Sequence, residues 1–326
     1  MLIISPPFSF WKVLFMNFHK SLCDFPRMTD ETDDSPRIIR AIEECSERVL
    51  FIPDGEYEIA SPITVSNRCR LWLADGATLK AVREMDYVLT YISCGKHCSL
   101  IGGKIDGNGL ASCIWINHYN HFTLRDIKLY NGKKYGMRIG GYSPGGSCEM
   151  IANNIYCYCT MSGLAGNCAI SSVDGDSHFT DVVVVDYTVG IEMIGGETAG
   201  SNRLTRCHVW GGPVPAKEPG GIPEMLENSI SFRLTAPDTI LRDCYSDTGY
   251  IGFQIEGNTR LLGCSYYNNP VFPIDNVTII DHKSGWLLVS DGYFTQHTDH
   301  ALLYRGDNKN VVWRDNYIEG KDLKLP

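Results

Sequence analysis

The chain has 326 residues, 29 basic against 38 acidic side chains, and a net charge of −9. Hydrophobic residues at 44% and charged residues at 21% are ordinary globular values, which excludes disorder and a fibrous repeat. The acidic balance excludes a nucleic-acid partner, which would select a basic face.

The first segment, Met1–Phe18, is apolar but interrupted by Pro6, Pro7 and Lys12. It lacks a basic start and a small-residue cleavage site, and it is too short to span a bilayer, so no membrane partner is expected. Residues 1–28 read as an N-terminal extension, with a strand packing on the body as one fitting role. A single domain over 29–320 and a tail at 321–326 follow. The 13 cysteines are odd in number and sparse for so long a chain, and no pair is followed by a second at zinc-ribbon spacing. They read as small buried hydrophobes rather than a disulfide framework, with a cytoplasmic location, no metal and no cofactor expected.

The next segment, Ser35–Cys45, has helical character. Ser35 is placed to N-cap, Pro36 suits the first helical position, and Ile38, Ile39 and Ile42 share one face. The acidic run Asp30–Asp34 precedes it, at the positive end of the helix dipole.

Helical periodicity then stops. Short strands rich in Val, Ile, Tyr and Thr follow, separated by Gly, Asn and Asp. They repeat. Ile114-Trp-Ile, Met137-Arg-Ile, Ile191-Glu-Met, Ile230-Ser-Phe, Ile251-Gly-Phe and Leu302-Leu-Tyr each open a unit, and a second strand such as Thr123–Leu129 or Ile240–Tyr245 follows. One slot of the second strand holds Ile127, Ile155, Cys207, Cys244, Cys264 and Asn316; Cys244 and Cys264 are 20 residues apart, Ile127 and Ile155 28. Strand repeats of this period, with insertions, predict a solenoid in which like residues stack inside. The expected fold is all-β: a single-stranded right-handed parallel β-helix with a short N-terminal capping helix.

The residues that open the chain's ordered part carry a resemblance. Thr32-Asp-Asp-Ser-Pro-Arg-Ile-Ile-Arg-Ala-Ile, Val49-Leu-Phe-Ile-Pro-Asp-Gly-Glu-Tyr-Glu-Ile, Ala74–Ala81 and Ile101-Gly-Gly-Lys-Ile-Asp-Gly-Asn-Gly resemble the cap and first coils of pectate-lyase-like right-handed β-helix proteins. The resemblance covers 29–320. It implies action on an oligo- or polysaccharide, with polygalacturonase-type hydrolases, pectate lyases, inulin fructotransferases and phage tailspikes as relatives. A homotrimer is implied by the fructotransferases. The polygalacturonase motif set is not present: Asp33-Asp34 lies in the cap, and His178 and His208 lack flanking glycines.

Alternation of side chains along strands predicts one outward sheet carrying Trp115, Asn117, Arg138, Ser172, Glu192, Ser231, Arg233, Gln254 and Arg305. Aromatic faces, amides and guanidinium groups in a row suit sugars. Glycosidic cleavage by protein carboxyls uses two of them, roughly 5–9.5 Å apart, and stacked coils supply such spacings. The densest acidic stretch, Val173-Asp-Gly-Asp-Ser-His, is followed by Glu192 and Glu197. Asp174 or Asp176 with Glu192 or Glu197 is the expected catalytic pair, with His178 as an orienting group. Alternatives remain: Asp174-Gly-Asp176 reads equally as a plain turn, and Asp174, Asp176 and Asp181 as calcium ligands. A lyase eliminating across a uronic acid and a non-catalytic glycan-binding β-helix are the rival activities. The insertion Gly211–Ser229, with four prolines, is a loop placed to wall a groove or reach a neighbouring subunit.

Overall fold

The computed structural model describes residues 19–141, 148–161, 164, 166–195, 200–211, 213–214, 224–225, 228–270, 274–296, 298, 300–320 and 323. They form a right-handed parallel β-helix of about nine turns. Each coil contributes a strand to three stacks. The first sheet runs from Ile63–Val65 through Tyr135–Ile139, Val189–Met193 and Ile251–Ile255 to Leu302–Arg305. The second passes through Arg70–Leu73, Arg203–Thr205 and Val311–Arg314, and the third through Ala77–Ala81, His208–Trp210 and Tyr317–Glu319. Apolar residues meet along most of the core line: Ile191 stands opposite Phe232, and Phe232 opposite Phe253, with the two phenyl rings stacked at 5.2 Å. The slot holding Ile127, Ile155, Cys207, Cys244 and Cys264 faces the core, and all five are buried. Asn316 closes it by accepting from Gly292 N–H at 2.8 Å and donating to the Val289 carbonyl at 3.0 Å. Among the described residues, the free cysteines are buried apart from Cys23.

The corner between the second and third sheets repeats one backbone feature. Asp126, Asn154, Asp181, Arg206, Asp243, Gly263, Asp291 and Asp315 each adopt a left-handed conformation, with φ between 51° and 63°. From Asp126 onward, one such residue per coil turns the chain sharply within a single position. Asp, Asn and Gly bear this conformation at least cost, which is why the turns read as Arg-Asp or Asn pairs in the sequence.

The helix α1, Ser35–Glu44, buries Ile38, Ala41 and Ile42 over the first coil. It differs from the sequence expectation in its start. Asp34 is the N-cap, and Ser35 and Pro36 fill the first helical turn. The Ser35 hydroxyl instead accepts from the Ala60 and Ser61 amides at 3.0 and 3.1 Å, pinning the cap to the coil beneath. The stack also begins before residue 29: His19–Ser21 pairs in register with Val49–Phe51. No helix among the described residues is long and apolar enough to cross a membrane.

Candidate functional site

Alternation puts the central outward residue of every first-sheet strand in one line. The register places Thr64, Thr90, Trp115, Arg138, Ser171, Glu192, Arg233, Gln254, Asp281 and Arg305 successively opposite one another. From Arg138 onward they are bonded along the stack. Arg138 donates to the Ser171 hydroxyl and its Nη1 lies 4.0 Å from Glu192 Oε1. Arg233 Nη1 donates to Glu192 Oε2 at 3.1 Å and its Nε to Gln254 Oε1 at 3.2 Å. Gln254 Nε2 donates to Asp281 at 3.3 Å, and Arg305 Nε donates to the same carboxyl at 2.8 Å. The hydrogen bond from Arg305, and secondarily that from Gln254, holds the Asp281 carboxyl below its ordinary range against the opposing effect of burial.

Trp115 stands in this row one coil before its bonded part. Its ring stacks on Tyr87 at 5.6 Å, and a pocket of about 450 Å³ beside it is lined by Met85, Asp86, Tyr87, Ser112, Lys133 and Lys134. Arg138 packs over the Tyr135 ring at 5.4 Å. The Trp115 indole N–H donates to the Gly140 carbonyl at 3.0 Å. A Cβ on Gly140 would fall 2.1 Å from Asp174 Oδ1, so the missing side chain leaves room for the Asp174 carboxyl. Trp115 and Asp174 thus converge on Gly140.

The remaining expected residues are placed differently. Asp176 is exposed in a left-handed turn conformation with φ 54°. His178 is exposed and starts a second-sheet strand, opposite Ile151 and Arg203, not on the row. Asn117 is buried, opposite Ile92. Glu197 lies outside the described residues, as does most of Gly211–Ser229; within that loop Pro213–Val214 pairs antiparallel with Glu224–Met225. Ser172 does not face outward: it stands opposite Met193 in the core line, and Ser171 takes the outward place. Ser231 is turned inside, sharing a 2.7 Å hydrogen bond with Ser246. Asp181 is held by both arms of Arg206, at 2.7 and 2.8 Å. Among the described residues no three His, Cys, Asp or Glu side chains converge as a metal-binding set.

Asp281 was not found from the sequence. The repeat was recognised by apolar residues flanking one outward position, and in Ile280-Asp-His the second flank is a histidine. His282 occupies the inward place opposite Ile255, made tolerable there by bonds to Tyr304 Oη at 2.8 Å and the Gly285 carbonyl at 3.1 Å. A polar residue satisfied inside the coil hid the outward one beside it.

No family model matches the chain, and no curated protein matches it. Solved structures do match. PfbA, a surface adhesin of Streptococcus pneumoniae, superposes with a TM-score of 0.60 at 12% identity over 91% of this chain and 89% of its own. The polygalacturonase from Erwinia carotovora ssp. carotovora gives 0.58 at 13% identity, over 91% and 93%. The fold they share with this chain is the parallel β-helix. Another match, Geobacillus virus E2 ORF18, has a TM-score of 0.60 at 12% identity; 97% of this chain spans 64% of that one. At such identities the parallel β-helix fold alone is what is shared.

Proposed function

We propose that this protein acts on carbohydrate, with an oligo- or polysaccharide lying along the first sheet from Trp115 to Arg305 and a glycosidic bond cleaved by Asp174 and Glu192. The observation that carries the reading is the outward row, in which one aromatic or polar side chain stands on each coil at about 4.8 Å spacing. That spacing is close to the repeat of an extended sugar chain, so amide and guanidinium groups meet successive hydroxyls. Asp174 follows Ser171 on one coil and Glu192 lies opposite Ser171 on the next, so the two carboxyls sit on adjacent coils. Glu192, paired with Arg233, serves as the partner that activates water or attacks the anomeric carbon. Asp174 gives its proton to the leaving oxygen.

A second reading, binding without turnover, is favoured by the pairing of the row's charges with one another, which gives a face that is polar yet internally satisfied. A surface adhesin and a polygalacturonase share the fold, and the two readings correspond to those two kinds of protein.

The test is a screen on fructans, glucans, pectins and uronic-acid polymers, with products read by chromatography and ultraviolet absorbance. Saturated products that disappear in Asp174→Asn and Glu192→Gln support the carboxyl pair. Unsaturated products would move the protein to elimination chemistry. Binding that survives both substitutions without any product favours the second reading.

A further inference from the structure

The third sheet carries an aromatic row that the sequence reading did not single out. Its outward residues Val183, His208, Tyr245, Ser265, Tyr293 and Tyr317 stand in register on successive coils. His208 and Tyr245 stack at 3.8 Å with planes 13° apart, and Tyr293 and Tyr317 stack at 5.1 Å with planes 8° apart. Rings stacked along the coil axis turn their faces toward the next coil. Between the two pairs the row holds only Ser265. The inner faces of Tyr245 and Tyr293 therefore look at one another across two coil steps, about 9.6 Å.

We propose that this gap is a sugar-binding slot, in which one neutral hexopyranose ring lies between Tyr245 and Tyr293 above Ser265. A ring placed midway would be about 4.8 Å from each tyrosine, inside the roughly 4.5–7 Å range of stacked rings. Both walls are braced from behind, Tyr245 by His208 and Tyr293 by Tyr317, and the Tyr293 hydroxyl donates to Glu319 at 3.2 Å. The walls are also accessible: Tyr245 is 38% exposed and Tyr293 47%. A pyranose offers C–H faces to such walls and hydroxyls at its rim, where the Ser265 hydroxyl below and Asp247 beside it can bond them. Asp247 lies opposite Tyr267 in the neighbouring outward line. With Asp247 and Glu319 as the bordering charges, an anionic sugar is repelled and a neutral one is selected.

This slot rests on the same carbohydrate reading but lies on a different face from the Glu192 row, so the two are separable. Titration calorimetry would use neutral gluco-, manno- and galacto-oligosaccharides, with oligogalacturonate as the anionic control. The variants are Tyr293→Ala, Ser265→Trp, which fills the gap while keeping both walls, and Arg233→Ala on the first sheet. Circular dichroism melts establish that each variant is folded. The expected result is a binding event for a neutral oligomer that weakens more than tenfold in both slot variants, while Arg233→Ala alters only the separate first-sheet event. Unchanged affinity in Tyr293→Ala and Ser265→Trp overturns the slot, as does binding of oligogalacturonate alone. If affinity falls only in Arg233→Ala, the slot fails while the first-sheet reading stands.

Discussion

Arg233 reaches back one coil to Glu192 with a 3.1 Å hydrogen bond and forward one coil to Gln254 with a 3.2 Å bond, so one guanidinium ties three coils together. Glu192 is buried and the Arg233 side chain is one-third exposed. Replacing Arg233 by Ala leaves Glu192, among the described residues, with Arg138 as its ion-pair partner at 4.0 Å. A cost of about 1–3 kcal/mol is expected, below that of a fully buried pair because water still reaches the arginine. Denaturant unfolding at constant m-value checks it, and a loss under about 0.5 kcal/mol would make the row a solvated face with no structural role.

A pH prediction comes from a second pair. Burial raises the Asp186 carboxyl to about 7 and lowers the His208 imidazole to about 4. Asp186 Oδ1 and His208 Nε2 are both buried without a hydrogen-bond partner among the described residues. The folded state keeps a proton on Asp186 that the unfolded chain loses near pH 4, so this residue makes stability fall as pH rises from about 4 to 7. The unfolded chain protonates His208 below about 6.5 and the folded state refuses, so this residue makes stability rise over about pH 4 to 6.5. Each slope is at most about 1.4 kcal/mol per pH unit, and they oppose. Asp186→Asn should expose the rising slope and His208→Gln the falling one, while the wild type stays flatter than either. Melting midpoints between pH 4 and 8 decide this, and parallel profiles for all three proteins would sink it.

The cap gives a third test. Asp34 is 3% exposed, accepts from Arg27 Nε at 3.0 Å and Nη2 at 2.6 Å, and accepts from the Glu58 amide at 2.9 Å. Asp34→Ala strands these donors and loosens the helix that covers the first coil. The expected cost is about 2–4 kcal/mol. Because a solenoid transmits order only between neighbouring repeats, the loss should appear as faster amide exchange in Val49–Val65 and not near Ile251–Ile255. Uniform acceleration along the chain would contradict the local cap role.

How far the sequence could be read follows from what each position must satisfy. The core lines were legible because apolar stacking is a one-dimensional signal: Ile191, Phe232 and Phe253 recur with the outward residue between them, and so Glu192, Arg233 and Gln254 could be aligned before their register was known. Asp281 and Ser171 were missed where His282 and Ser172 take inward places normally held by apolar side chains. The third-sheet aromatics were missed for a different reason. His208, Tyr245 and Tyr293 are separated by insertions of unequal length, and a strand of three residues such as Tyr245–Asp247 carries too little alternation to show which face a tyrosine occupies. The turns were legible in kind, since Asp and Asn recur in them, but the left-handed conformation that unites them is a property of the backbone.

That corner line supplies the last prediction. Gly263 has φ +63°, and a Cβ there would fall 2.5 Å from Asp243 Oδ1 on the preceding coil. Neighbouring coils fill the same place with Asp243 and Asp291, so the conformation itself does not demand glycine. Gly263→Ala combines two costs, an alanine forced into the left-handed region and a contact with the Asp243 carboxyl, and should destabilise by about 1–2 kcal/mol. The two are separable because only the second depends on Asp243. In the double variant Asp243→Ala/Gly263→Ala the contact is gone, so the loss should be smaller than the sum of the single losses. Strict additivity of the melting free energies would leave backbone conformation as the whole effect and show that the Asp243 side chain swings aside at no cost.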